Sequence, residues 1–265
     1  MDGPRRGPAR SMARSSPDKM SFLEHLDELR SRLVHCVAAL AAGFAVCWSF
    51  REPIFHFMTE PMRRAAPDIK FYYMGPSGAL LLYMKMVFFV GIFIAAPYIL
   101  YQIWAFIAPG LYPNERAWAI PFTLFGTLFF LGGAAFGHFF LFPITFRFLM
   151  GFGGTDMQYL PKTEDYFTFY SWFLLGLGVV FQVPVIIFVL ARIGLVTPAF
   201  LVRQWKWVVL LSFVIAAVIT PTPDMVTQTL LAVPMIGLYV LGVAVAWAFG
   251  RPRKKPASVS AEARS

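Results

Sequence analysis

Three short stretches of this chain carry polar side chains that stand out from an otherwise apolar sequence. The first is His25-Leu26-Asp27-Glu28-Leu29-Arg30-Ser31-Arg32-Leu33. At about 100° per residue, Phe22, Leu26, Leu29 and Leu33 share one helical face, and Glu24, Glu28, Ser31 and Arg32 share the other. Ser21 and Glu24 have capping-box spacing, so an amphipathic helix is predicted that runs into the apolar stretch beyond it. Glu28 and Arg32 stand at i,i+4, which fits an ion pair on a solvated face, a contact that contributes little on its own. The second stretch, Phe106 to Arg116, holds two turn signals, Pro109-Gly110 and Pro113-Asn114. Glu115 is its only acid, and a lone loop glutamate is ordinarily solvated. In the third, Phe181-Gln182-Val183-Pro184, Gln182 is the strongly polar side chain of a long apolar run. Pro184 frees the carbonyl four residues back, at Val180. Gln182 therefore serves either that backbone or a hydrogen bond to another helix or partner, worth about 0.6–2 kcal/mol within a membrane. Thr220, Thr222, Asp224, Thr227 and Gln228 gather polar groups near one later turn.

Metal, redox and hydrolytic chemistry lack the residues they need. The sequence has no CxxC pair, HExxH, or Gly-flanked serine with a matching base. Cys36 and Cys47 lie eleven positions apart, about 16 Å along a helix, which is beyond disulfide reach. Both read as packing residues, and no cofactor or metal is expected.

The elements that must position these groups are set by composition. Of 265 residues, 58% are apolar and only 14% charged, against about 45–50% and 25% in soluble domains. No soluble core buries that excess. The expected class is an all-α membrane protein with six helices of unequal length: Leu33–Phe50, Gly78–Ile107, Ala119–Met150, Phe167–Leu190, Trp207–Thr220 and Leu230–Phe249. A span needs about 20 residues, so the second and third must tilt, bend or project. Pro97, Pro121 and Pro143 are the expected kink points. Trp207–Thr220 would rise only about 21 Å, and a buried re-entrant segment is the alternative reading for it. Sixteen of the 23 Lys and Arg residues flank the side of both termini, six the other side, and Lys85 lies within a span, near its outer end. By the positive-inside rule both termini are cytoplasmic, which makes the amphipathic helix a cytoplasmic one, lying at the membrane surface. Residues 1–20 are expected to form a basic, disordered tail, and they show no signal-peptide core. Residues 21–250 are expected to form the membrane domain and 251–265 a second basic tail. The net charge of +9 needs no nucleic acid to explain it.

Taken with Leu100-Tyr101-Gln102-Ile103-Trp104-Ala105-Phe106-Ile107-Ala108-Pro109-Gly110-Leu111-Tyr112, Glu115-Arg116, Thr220-Pro221-Thr222-Pro223-Asp224 and Gln228 to Pro234, the first stretch makes the chain resemble the TatC family. That family supplies the multi-spanning receptor subunit of the twin-arginine protein translocase. The resemblance runs from about Ser21 to Phe249. It implies that Glu28 and Glu115 bind signal peptides, that Arg30 and Phe106 belong to the same site, and that Pro61 and Asp224 are important outer-loop positions. It also implies that Gln182, with Thr220 and Gln228, contacts partner helices. The family often has a second basic residue where this chain has Ala117, which alters the loop's charge but leaves Glu115 in place. A carboxamide at position 182 carries no fixed charge, which argues against an obligatory proton relay there.

The implied function is a non-enzymatic one: core component of a twin-arginine translocase in a bacterial cytoplasmic (inner) membrane. The expected partners are TatA- and TatB-type single-span subunits, signal peptides of folded precursors, membrane lipids and further copies of the receptor. The resemblance also implies export driven by the proton-motive force, and no ATPase motif is present in the sequence. The chemistry is coherent, because two glutamates can recognise two guanidiniums, which prefer bidentate carboxylate partners. A solute transporter is the competing class. It would call for paired charges at midplane or repeated, interrupted helices, and neither is evident in the sequence.

Overall fold

The computed structural model describes residues 22–65, 71–73, 75–107, 119–152, 162–220 and 224–250. Among these the chain is helical, with an isolated bridge between Tyr72 and Lys162. Ten α-helices follow in order: α1 Phe22–Ser49, α2 Arg51–Ala65, α3 Gly78–Ile107, α4 Ala119–Phe136, α5 Phe142–Gly151, α6 Thr163–Val180, α7 Val183–Arg192, α8 Pro198–Arg203, α9 Trp205–Ile219 and α10 Met225–Phe249. Five continuous stretches are long and apolar enough to cross a membrane: Glu24–Ser49, Gly78–Ile107, Ile120–Gly151, Thr163–Arg192 and Met225–Phe249. The sixth expected span is the shorter apolar helix α9, 15 residues long.

The two long spans adapt differently. Helix α3 runs unbroken through Pro97, so the proline expected as a kink point does not interrupt it. Between α4 and α5 the chain makes a π turn, Gly137–Leu141, in which the Phe142 N–H reaches back to the Gly137 carbonyl. Pro143, next in line, has no N–H to continue the α pattern, and the wider turn absorbs the extra residue. Likewise α6 ends at Val180 and α7 begins at Val183 with a proline in its first turn. The break falls at Phe181–Gln182.

Aromatic side chains hold the lower core together. Phe142, Tyr166, Tyr170 and Phe173 are fully or almost fully buried, and Phe142 packs edge to face with the other three, its ring centred 5.0 Å from that of Tyr170, a geometry that adds to area burial. The Tyr166 hydroxyl donates to the Met58 carbonyl at 2.9 Å, tying α2 across the end of the bundle. Thr163 anchors the start of α6 through bonds from its N–H and hydroxyl to the Tyr72 carbonyl.

The strongest pairing for function is α1 against α3. Their backbones touch at glycines: a Cβ added to Gly43 would lie 2.9 Å from the Gly91 carbonyl oxygen. Small residues permit such close approach in membrane helices. The contact also fixes the antiparallel register. Arg32 lies as far before Gly43 as Gln102 lies after Gly91, and Glu28 matches Phe106 in the same way. The polar ends of α1 and α3 are thereby brought side by side.

Candidate functional site

The register delivers a compact polar cluster at the end of α1 and α3. Arg32 donates from Nε and Nη2 to Glu28 Oε1, at 2.9 and 2.5 Å. Its Nη1 donates to Gln102 Oε1 of α3 at 3.1 Å. The Glu28 and Arg32 side chains are only 21% and 24% exposed, and Gln102 is buried. Glu28 Oε2 is shielded from solvent and accepts no hydrogen bond among the described residues. His25 Nδ1 lies 4.0 Å from it, while the His25 ring stacks on Phe106 with centroids 4.5 Å apart and planes at 17°.

This geometry corrects the expectation of a solvated Glu28–Arg32 face. The pair faces α3, while Leu26, Leu29 and Leu33 are exposed, as are Glu24 and Ser31 of the expected polar face. The physical reason is that apolar side chains lose nothing by pointing toward lipid, while Glu28 and Arg32 gain partners by turning toward each other and the buried Gln102. The expected amphipathic segment and first span are also one unbroken helix. Ser21, the other half of the expected capping box, lies outside the described residues.

The remaining expected site residues fall in separate places. Arg30 is exposed on α1. Glu115 lies outside the described residues, so its distance from Glu28 is not part of the described geometry. Pro61 is buried within α2. Asp224 caps α10, accepting from the Thr227 N–H at 2.8 Å and from the Thr227 hydroxyl. Thr220 returns its hydroxyl to the Ala216 carbonyl at 2.9 Å, and Gln228 is half-buried. Of the two roles left open for Gln182, the helix-to-helix one holds: Nε2 donates to the Gly126 carbonyl of α4 at 2.7 Å. Gly126 leaves room for that approach, since a Cβ there would lie 3.3 Å from Gln182 Oε1. Ile219, beside Thr220, packs on Gly176, six positions before Gln182, or roughly 9 Å along the helix. Among the described residues no hydrogen bond joins Gln182 to Thr220 or Gln228.

Sequence reasoning assigned no role to Gln102 or His25, and gave Arg32 only its Glu28 partner. One signal was available for Gln102: it is a lone amide in an apolar helix, like Gln182. A further buried pair, His138 Nδ1 and the Tyr170 hydroxyl at 2.7 Å, borders an apolar cavity of about 410 Å³ between α2, α3, α4 and α6. Cys36 and Cys47 are both free thiols, as their spacing requires. Among the described residues no group of three or more His, Cys, Asp or Glu is placed to hold a metal.

An all-helical, multi-pass membrane protein with a shielded ion-pair cluster at one end of its first two long helices is the class that this fold and site define. The chain belongs to the TatC family: the family described as Sec-independent protein translocase protein (TatC) matches residues 24–234. The Sec-independent protein translocase protein TatC of Koribacter versatilis is 42% identical over 234 residues, covering 86% of this chain and 85% of the relative. That of Desulforapulum autotrophicum is 36% identical over 246 residues, covering 92% and 91%. A crystal structure of the twin-arginine translocase receptor TatC superposes with a TM-score of 0.76 at 33% identity, covering 86% of this chain and all of that one. The chain is thus a protein-translocase component with transmembrane helices.

Proposed function

We propose that this chain is the signal-peptide receptor and core subunit of a bacterial twin-arginine translocase. It sits in the cytoplasmic membrane with six spans and both termini in the cytoplasm. The observation that carries the reading is the shielded Glu28 carboxylate, one oxygen of which has no partner among the described residues, at the end of the bundle where basic residues gather. A buried acceptor without a donor is costly, and a guanidinium is the donor best matched to it. Glu115, Arg30 and Phe106 complete the site in this reading. TatA- and TatB-type single-span subunits join at the face that includes Gln182, Thr220 and Gln228. Folded precursors then cross at the expense of the proton-motive force, and the chain itself catalyses no reaction.

Binding of a fluorescent twin-arginine signal peptide to the purified, membrane-reconstituted chain tests the reading. Glu28→Gln keeps side-chain size and removes the charge. It should weaken binding by about tenfold or more, the equivalent of a lost hydrogen bond between charged groups, about 1.5–3 kcal/mol. Unchanged binding would remove Glu28 from the site.

A further inference from the structure

We infer that Arg32, anchored by Gln102, is a built-in counter-ion that makes Glu28 selective for a guanidinium over an ammonium. The inference rests on the reading of Glu28 as a signal-peptide carboxylate, and it names what sets that carboxylate's specificity.

The two oxygens of Glu28 differ. Oε1 takes two donors from Arg32, and Oε2 takes none among the described residues. Arg32 is held in place from a second helix, because its third donor is bound by the buried Gln102. The pair is neutral overall. An isolated, half-buried carboxylate attracts any cation strongly, because the local dielectric is low. With Arg32 in place most of that indiscriminate attraction is cancelled. What remains at Oε2 is a directional acceptor with little net field.

An acceptor of that kind ranks cations by hydration and shape. An ammonium is compact and strongly hydrated, so it gives up more than it regains on leaving water. A guanidinium is planar and more weakly hydrated, and it stacks on aromatic faces. Such a face lies beside Oε2: the half-exposed His25 ring, backed by Phe106. A guanidinium laid along that ring has an edge to present to Oε2 while its face gains the stacking contact. The neighbouring charged groups Glu24, Asp27 and Arg30 are all exposed on α1 and contribute little to the shielded atom. Arg32 and Gln102 are positioning residues here; neither needs to touch the peptide.

The test compares two peptides, identical except for an Arg-Arg or a Lys-Lys pair, binding to the full chain in lipid nanodiscs. The unsubstituted chain should prefer Arg-Arg. In Arg32→Gln the Lys-Lys peptide should bind roughly fivefold tighter while Arg-Arg stays within about twofold, so the ratio falls. Gln102→Leu frees Arg32 without removing a charge and should shift the ratio in the same direction by less. Arg32→Lys restores the counter-charge and should keep most of the preference. A structural role for Arg32 predicts instead that both peptides weaken in parallel. That outcome, an unchanged ratio in both Arg32→Gln and Gln102→Leu, or a starting chain with no preference, overturns the inference. Either variant decides the matter if the other fails to insert. Glu28→Gln separates the two levels: if it binds Arg-Arg as the unsubstituted chain does, the site reading itself falls.

Discussion

Gln182 shows how a single polar side chain behaves when water is absent. Its amide donates to the Gly126 carbonyl at 2.7 Å, at the step where α6 passes into α7. Such a bond between membrane helices is worth about 0.6–1.7 kcal/mol, because the unfolded chain in the membrane also finds partners. Gln182→Leu should therefore leave insertion and signal-peptide binding intact and lower the thermal midpoint by a few degrees, read by fluorescence in detergent. If Gln182 also meets a partner helix, the same variant will lose crosslinks from position 182 and transport less cargo. Gln182→Glu should be tolerated in both assays, since a protonated carboxyl can donate to Gly126 as the amide does. A Gln182→Leu variant with lowered stability but unchanged crosslinks would make the residue purely structural. The sequence singled Gln182 out because a lone amide in an apolar run must find a partner. Which partner it finds depends on Gly126, 56 positions earlier, and no local pattern reports that. Glu28 was marked as an acid of interest by the family resemblance alone, since its spacing to Arg32 suggested only an ion pair on a solvated face. Its inward orientation was not legible, because an amphipathic pattern alone does not say whether water or lipid meets the apolar face.

At the scale of elements, glycines rather than large side chains decide where the site forms. Gly43 and Gly91 let α1 and α3 touch backbone to backbone, and from that point the register carries Arg32 to Gln102 and Glu28 to Phe106. A Cβ at Gly43 would meet a carbonyl oxygen at 2.9 Å, an atom that cannot swing aside as a side-chain end can. Gly43→Leu should push the helices apart, weaken twin-arginine peptide binding severalfold, and do so without any change near Glu28. Gly132, with open space around its would-be Cβ, serves as the control, and Gly132→Ala should bind as the unsubstituted chain does. Equal binding by Gly43→Leu and the control would detach the site from this contact. The helices themselves were plain from charge-free length, and their pairing was not, since apolar residues cover every face of a helix such as α3. The π turn at Gly137–Leu141 was half legible: Pro143 marked the place, while the form of the adjustment depended on how α5 packs beneath α2 and α6.

At the scale of the whole molecule, the open question is how many times the chain crosses the membrane, and helix α9 decides it. Among the described residues five stretches have the length and apolarity to span. Helix α9 has 15 residues, a rise of roughly 22 Å against a hydrocarbon core of about 30 Å. Its surface argues for crossing all the same, because Leu210, Leu211, Val214 and Val218 are exposed and a re-entrant segment would need them covered by protein. Locally thinned bilayer would make up the missing length at modest cost. Single cysteines placed in a Cys36→Ala, Cys47→Ala background and labelled with a membrane-impermeant maleimide read the topology directly. Tyr73, Leu195 and Met225 are all exposed; the first two lie between spans, and Met225 is the first residue of α10. With six spans and cytoplasmic termini, Tyr73→Cys and Met225→Cys label from outside intact cells. Leu195→Cys labels only after the membrane is opened. If α9 turned back instead of crossing, Met225→Cys would behave like Leu195→Cys and α10 would deliver the C-terminal tail to the opposite side. That tail carries Arg251, Arg253, Lys254 and Lys255, and moving such a cluster outward runs against the charge bias that orients membrane helices. Joint labelling of Tyr73→Cys and Met225→Cys is therefore the expected result, and it would make the short helix a true span.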